Sequence, residues 1–215
     1  MNSITIRHDL RSRFGSARDQ GGRSTCLAFA MSDAHSAALG AVWMPLSCEY
    51  LFYHSKQQDK TPAHQGTTVV AIQAALEHDG QPAEPDWPYL PALPADLRKW
   101  KPPAKIGTIY RRTSKSNGTG FDDIWKAVES DSATLIGMTL SSAFFGPNKA
   151  GVVDADEPID PNIRHAVLGV ATGKCGKKKL LLVRNSWGDT WGLSGYAWLS
   201  ERYLTPRVKA TITVH

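Results

Sequence analysis

The feature of this sequence that most constrains its fold is a change in hydrophobic period near the middle of the chain. The first half carries apolar residues at helical spacing and predicts helices over 26–38, 47–56 and 67–78. The second half has strand patterning and predicts strands over 133–140, 166–172, 180–184, 196–199 and 208–214. Helices followed by strands predict an α+β fold in which a helical lobe packs on a sheet lobe.

A proline-rich segment separates the two halves. Seven of the thirteen prolines lie within 81–103, which predicts an irregular crossover between the lobes. The length of 215 residues suits a single domain. We therefore predict one domain over 1–215, with a helical lobe at about 10–105 and a β lobe at 106–215. An edge strand over 3–7 and a short helix over 121–130 complete the prediction.

The net charge and the cysteine content limit which kinds of partner and which redox compartment are expected for this chain. The formal net charge is +5, and the scattered basic residues are typical of a solvated surface, so we expect no nucleic-acid partner. No apolar run suits a membrane span and no secretory signal is visible, so we expect no membrane partner and a cytoplasmic chain. The cysteines match no zinc pattern, so we expect no metal, no cofactor and a reducing compartment.

Cys26 is the first candidate for chemistry because it is predicted to lie at the start of a helix. Ser24 and Thr25 are good helix caps. At a helix N-terminus the N–H groups and the helix dipole stabilise a thiolate. Gln20 lies six residues earlier, where its side-chain N–H groups and the Cys26 N–H can together bind an oxyanion. A buried core thiol is the alternative interpretation of a lone cysteine.

Two residues of the strand half are candidates to act on that thiol. His165 opens an apolar strand 139 positions after Cys26, within a window of roughly 130–150 for such pairs drawn from different lobes. Asn185 follows another strand, where its amide can accept a hydrogen bond from the imidazole. Trp187 can cover that bond. Taken singly, His165 and Asn185 also fit structural roles.

Three segments together resemble the motifs of papain-family cysteine peptidases, in the family's order. The similarity extends weakly over about 9–204, and the third segment is the most specific. The segments are Asp19-Gln20-Gly21 with Cys26-Leu27-Ala28-Phe29-Ala30, His165-Ala166-Val167, and Arg184-Asn185-Ser186-Trp187-Gly188-Asp189-Thr190-Trp191-Gly192.

The resemblance implies a helical N-terminal lobe, an antiparallel β-sheet or barrel C-terminal lobe, and an active site in the cleft between them. It implies hydrolysis of peptide bonds in a protein or peptide substrate through a thioester. The implied catalytic residues are Cys26 as nucleophile, His165 as base, Asn185 as its orienting residue and Gln20 in the oxyanion hole. The implied substrate-binding residues are Gly66, Ala166 and Trp187.

The chain departs from the family in several places. Arg23 and Ser24 stand where a disulfide-bonded cysteine is usual, so we expect a helical lobe without its usual disulfides. Cys48 is expected to be a core thiol. The stretch 173–179 is expected to be a surface loop between strands, in which Lys174-Cys175-Gly176 form a basic hairpin turn with Cys175 exposed. Arg164 is expected to bias the cleft toward acidic groups.

Fewer than twenty residues precede Gln20, too few for the family's inhibitory pro-segment. Either such a segment was trimmed from this chain, or control comes from elsewhere, for which a separate inhibitor or immunity protein is one route. Control by a separate protein, together with the bacterial-looking segment 195–199 at the end of the third motif, leads to the hypothesis of a bacterial toxin or effector domain delivered into a target-cell cytoplasm.

Two alternatives remain open at this point. A side-chain deamidase or transglutaminase-like acyl transferase uses the same three residue types on a different amide. A non-catalytic binding domain on the same scaffold would keep the fold without the chemistry.

Overall fold

The computed structural model describes residues 3–40 and 42–215. Its helices are α1 (Cys26–Ala38), α2 (Cys48–Asp59), α3 (Val69–Ala74), α4 (Phe121–Glu129), α5 (Ser142–Phe145) and α6 (Glu201–Leu204). Its strands are β1 (Thr5–Asp9), β2 (Ser114–Ser116), β3 (Thr134–Thr139), β4 (Val152–Val153), β5 (Arg164–Cys175), β6 (Lys178–Arg184), β7 (Tyr196–Ser200) and β8 (Val208–Val214).

The eight strands form one sheet in the order β2-β8-β3-β5-β6-β7-β4, and β1 pairs with β5 outside this path. The named pairs are antiparallel, apart from the short parallel pair of β4 with β7. The predicted α+β fold with an antiparallel sheet lobe is therefore confirmed. The sheet is open, and it is not a closed barrel.

Helix α1 is the central helix, and it packs on β5, β3 and β8. Its residues from Ala28 to Ala37 are all buried. Because alanine recurs along it, the helix backbone can approach the sheet closely, as close packing requires. Helix α1 thereby joins the helical half of the chain to the strand half.

The other helices of the first half pack beside α1. The Ser47 hydroxyl caps α2 by accepting from the Tyr50 N–H at 3.0 Å. The third predicted helix is α3 extended by a π-helical turn, Ala75–Asp79, and it stops at Gly80, where φ is 73°. That left-handed conformation favours glycine.

The proline-rich crossover is irregular as predicted, yet it is packed rather than loose. It contains two short 3-10 turns, Glu84–Asp86 and Leu97–Lys99. Trp87 and Trp100 are buried, and the Tyr53 ring of α2 lies 5.5 Å and 5.1 Å from them between centroids. Aromatic packing of this kind holds the crossover on the helical lobe.

The hairpin turn predicted at 174–176 is present, but the predicted surface loop over 173–179 is wrong in its extent. Strands β5 and β6 continue through it as a ladder that pairs Cys175 with Lys178, and only a two-residue turn joins them. Gly176 in that turn has φ 61°, which suits a tight hairpin. Cys175 is half-buried, so its expected exposure is also wrong.

The remaining cysteines follow the prediction. Cys48 is fully buried in α2, and no disulfide bond is present in the part of the chain that the structure describes. The division into one domain with lobes at about 10–105 and 106–215 stays a prediction.

Candidate active site

Cys26 is the first residue of α1, as predicted. The expected cap by Ser24 or Thr25 is wrong, because no side chain caps this helix. The Thr25 hydroxyl instead lies 2.9 Å from the Tyr89 hydroxyl. The N–H groups of the first turn are therefore not occupied by a side-chain cap, which keeps the helix terminus available to negative charge on sulfur.

Gln20 lies in a loop that pairs with the segment following Asn185. Its backbone N–H donates to the Ser186 carbonyl at 2.9 Å, and the Ser186 hydroxyl donates to Gln20 Oε1 at 2.7 Å. Gln20 Nε2 donates one hydrogen bond to the Arg23 carbonyl at 2.7 Å. The side chain is fixed beside the helix terminus, but it is not among the residues that line the cleft described below. Its place in an oxyanion hole stays a prediction.

His165 and Asn185 are joined by a hydrogen bond of 2.7 Å between Nε2 and Oδ1. The Ser186 backbone N–H also donates to Asn185 Oδ1, at 2.8 Å. A backbone N–H can only donate, so this contact identifies the oxygen of the amide. His165 Nε2 must therefore carry the proton, and Nδ1 is left as the acceptor of the ring.

Aromatic rings cover this hydrogen bond. The Trp187 ring lies 4.7 Å from the His165 ring between centroids, and Phe144 of α5 lies 5.9 Å away. The exposed Phe145 stacks on the outer part of Trp187 at 5.3 Å. The cover that was expected from Trp187 is thus built from three rings, and it limits the access of water to the bond.

Burial controls the protonation of both candidate catalytic groups. It raises the pKa of the Cys26 thiol, against the opposing effect of backbone hydrogen bonds from Ala166 and Leu27. It lowers the pKa of His165 to about 4, against the opposing bond to Asn185. Burial thus favours the uncharged forms of both groups, a thiol and a neutral imidazole, and the neutral ring can accept a proton.

A cleft of about 440 Å³ is lined by both Cys26 and His165. Gly66 lies in one wall, and a Cβ added there would be 3.4 Å from the Ser24 carbonyl oxygen. Lys56 Nζ donates to the Gly66 carbonyl at 2.8 Å and holds this wall in place. The opposite wall comes from the sheet and contains Gly137, Met138, Arg164, Lys209 and Ala210.

Ala166 was expected to line a specificity pocket. It is only 2% exposed, and it is not among the described residues that line the cleft. It faces a small interior gap with Asp33 and Arg184 instead. Its backbone N–H, which bonds to the Cys26 sulfur, is its contact with the site.

A buried ionic cluster lies beneath the site and joins α1 to β6. Asp33 accepts from Arg184 Nε at 2.7 Å and from Arg18 Nη2 at 2.5 Å. Burial acts to raise the pKa of Asp33, but the two guanidinium groups outweigh it and the pKa is lowered. Because Arg184 directly precedes Asn185, the cluster fixes the end of the strand from which Asn185 projects.

A second buried ion pair involves Arg23, which stands where the resemblance implies a disulfide-bonded cysteine. Arg23 binds Glu49 of α2 through two nitrogens, at 2.6 Å and 3.0 Å. Glu49 is fully buried and also accepts from the Trp100 Nε1–H at 2.6 Å and the Leu90 N–H at 3.0 Å. The loop before Cys26 is thus tied to α2 and to the crossover without a covalent bond.

Several residues around the site were missed from the sequence. Tyr89 donates its hydroxyl to the Gln20 carbonyl at 2.7 Å, and Phe144 completes the aromatic cover. Neither carries a local sequence signal, because each reaches the site only through tertiary packing. Ser186 lies in the third family motif, beside Asn185, and this position was the one sequence signal for its role in binding Gln20.

Neither a metal-binding cluster nor a membrane-spanning helix is present among the described residues. Within 3–40 and 42–215, no group of three His, Cys, Asp or Glu side chains is arranged to hold a metal ion. No helix in these ranges has both the length and the apolar character needed to cross a membrane.

Comparisons with known proteins show which family and which fold this chain shares. A family model described as papain family cysteine protease matches residues 3–211. Cysteine proteinase 3 of Entamoeba histolytica is 28% identical, over 90% of this chain and 62% of its own length. Cathepsin R of Mus musculus is 29% identical, over 86% of this chain and 56% of its own length. The chain thus spans less than two thirds of these relatives.

The fold agrees as well. Xylellain, a cysteine protease from Xylella fastidiosa, superposes with a TM-score of 0.78 over 99% of this chain and 86% of that chain. The two are 20% identical, so this likeness shows the fold. The fold type that was expected from the sequence motifs is confirmed.

Proposed function

Because the chain belongs to the papain family of cysteine proteases, we propose that it is a thiol-dependent endopeptidase that hydrolyses peptide bonds in proteins or peptides. The observation that carries the proposal is the bond from His165 Nε2–H to Asn185 Oδ1, which leaves Nδ1 as an acceptor. Cys26 lines the same cleft as His165. A thiol and a basic nitrogen in one cleft suit acyl transfer.

In the proposed reaction, Cys26 Sγ gives its proton to His165 Nδ1 and attacks the carbonyl carbon of the substrate. The peptide C–N bond breaks, and the amine leaves with the proton from His165. Water then adds to the thioester with His165 as base, which releases the acid and restores the thiol. Asn185 keeps the ring oriented throughout. The Cys26 N–H and the Gln20 amide are the proposed donors to the oxyanion.

The open cleft supports an extended main chain as substrate, with Gly66 on one wall and the sheet on the other. Glycine without a side chain lets a substrate backbone approach closely. A deamidase or acyl transferase would use the same thiol on a side-chain amide. A binding domain would not use the thiol at all.

The test compares wild type with Cys26→Ala on a set of denatured proteins and reads new protein termini by mass spectrometry. We expect defined new termini with the wild type and none with the variant. A change in side-chain mass without chain cleavage would replace the proposal with deamidation or transfer. Identical results from both proteins would favour the binding domain.

A narrower proposal concerns the biological setting. We propose a bacterial toxin or effector that acts in the cytoplasm of a target cell and is held in check by a separate inhibitor or immunity protein. Expression in the bacterial cytosol should slow growth for wild type and not for Cys26→Ala. Equal growth of the two strains, with cleavage activity present in their lysates, would contradict the toxin role and leave the peptidase standing.

A further inference from the structure

The cleft beside Cys26 is basic. Arg164 and Lys209 both line it, and no carboxylate does so among the described residues. Arg164 Nε has a long contact of 3.4 Å with the Pro161 carbonyl. Neither cation has a carboxylate oxygen within ion-pair distance in the part of the chain that the structure describes. Two cations without internal counter-ions face the space that a substrate would occupy.

Lys209 reaches this cleft because of a bulge in β8. On β3, Met138 opposes Val208 and Gly137 opposes Ala210, so Lys209 is an extra residue between two paired ones. A bulge of this kind bends the strand and redirects the side chain of the extra residue. Val208 remains in the core at 8% exposure, while Lys209 is exposed and lines the cleft.

The floor next to Lys209 is made of small residues. Gly137 and Ala210 are directly opposed, so they share one face of the sheet. A Cβ added to Gly137 would lie 3.6 Å from the Ala210 Cβ, so nothing larger than a methyl group fills the floor at this pair. Val69, at the start of α3, lines the cleft from the other side. The result is an apolar recess with a lysine at its edge.

We propose that Lys209 is a specificity-determining residue and that the recess selects an acidic side chain of the substrate close to the scissile bond. The methylene groups of a glutamate would lie on Gly137 and Ala210, and its carboxylate would pair with the Lys209 ammonium. Arg164 adds to the favourable potential from the neighbouring part of the cleft. This inference rests on the proposed peptidase function.

The test profiles cleavage of a proteome-derived peptide library by four proteins. They are wild type, Lys209→Met, Lys209→Glu and the control Lys115→Glu. Lys115 lies on β2, opposite Thr213 of β8 and away from the cleft lining, so its replacement changes the net charge equally. Both lysines are exposed, and circular dichroism before the assay verifies that each variant is folded.

We expect wild type to prefer Glu over Leu by about threefold to tenfold at one substrate position, the range of a partly screened ion pair. Lys209→Met should lose this preference, and Lys209→Glu should favour Lys or Arg at the same position. Lys115→Glu should match wild type. Cleavage without acidic enrichment, or a profile unchanged in Lys209→Glu, would overturn the role of Lys209 and leave the peptidase intact. Absence of cleavage by wild type would overturn the proposed function, and this inference with it.

Discussion

At the residue scale, the ring of His165 is held by one hydrogen bond and shielded by aromatic side chains. Asn185 accepts from Nε2, and Trp187 and Phe144 cover the pair. The same burial that protects the bond lowers the pKa of the ring to about 4. The imidazole is therefore neutral at pH values well above 4, where it can serve as a base.

The first prediction concerns the acid limb of activity. As pH falls through about 4, His165 becomes protonated and can no longer accept the thiol proton. We expect kcat/KM to rise with pH along a limb centred near 4, measured with a fluorogenic peptide. Trp187→Ala should move the limb toward the ordinary histidine value of about 6.5, because the ring would be more hydrated. A wild-type limb already near that value would contradict this account.

The second prediction concerns stability and His35, which is fully buried in α1 and bonded through Nδ1 to Gln81 Oε1 at 2.9 Å. Burial lowers its pKa from 6.5 to about 4, so the unfolded chain binds this proton first as pH falls. The contribution of neutral His35 to the unfolding free energy is fully present above pH 6.5 and is lost as the pH falls toward 4. We expect His35 to contribute about 2–3 kcal/mol to the fall in unfolding free energy across this window.

Urea unfolding at pH 7 and pH 4.5 measures this contribution, with His35→Gln as the comparison. The variant is expected to be less stable at both values, since glutamine repacks poorly in the space of a ring. The decrease in its unfolding free energy from pH 7 to pH 4.5 should nevertheless be smaller than the decrease for wild type. An equal fall in both proteins would show that His35 does not titrate as stated.

At the scale of elements, helix α1 carries the candidate nucleophile and also anchors the strand that precedes Asn185. Its N-terminus carries Cys26, and Asp33 two turns later binds Arg184 at the end of β6. Because Asn185 follows Arg184 directly, helix α1 positions the nucleophile and also helps to fix the residue that orients the base. The two halves of the site are therefore connected through one buried carboxylate.

The third prediction tests that connection with Asp33→Asn. Removing the charge of Asp33 leaves Arg184 without a carboxylate partner and leaves Arg18 with only Glu84, at 3.5 Å. We expect a loss of about 3–5 kcal/mol in unfolding free energy. In protein that remains folded, kcat/KM should fall by about a hundredfold, since small misplacements of catalytic groups have such effects. The matched control is Asp96→Asn, which removes an exposed partner of Arg98 and should change neither quantity. Unaltered activity in folded Asp33→Asn would remove this cluster from the site.

At the scale of the whole molecule, the helical half and the strand half of the chain contribute to one continuous core. Met31 of α1, Trp100 of the crossover and Val167 of β5 belong to the same cluster of buried side chains. The ion pair between Arg23 and Glu49 adds a polar connection within the helical half. Lobes that share a core are expected to unfold together.

The fourth prediction is a single cooperative unfolding transition over 1–215, which also tests the one-domain assignment. Tryptophan fluorescence reports on both lobes, since Trp87 and Trp100 lie in the helical half and Trp191 and Trp198 in the strand half. Far-ultraviolet circular dichroism reports on the backbone. We expect coincident urea curves from the two probes. Two separated midpoints would indicate lobes that unfold independently.

Much of the fold was predictable because its signals are local. Hydrophobic period places α1, α4 and the strands β3, β6, β7 and β8 within a few residues of where the structure has them. The hairpin turn near Cys175 was predicted, but the continuation of the strand ladder as far as Cys175 and Lys178 was not, because the residues there are mostly polar and are paired through the backbone rather than by burial. Backbone pairing leaves little trace in side-chain chemistry.

The sequence by itself determined the fold class, the family motifs and the residue types that chemistry requires at positions 26, 165 and 185. These depend on period and on short-range spacing, which a linear chain displays directly. Only the tertiary structure decided that Arg23 pairs with the buried Glu49 and that Phe144 covers the base. It also decided that a bulge turns Lys209 into the cleft. Each of these depends on contacts between segments far apart in the chain, and their geometry exists only once the core has packed.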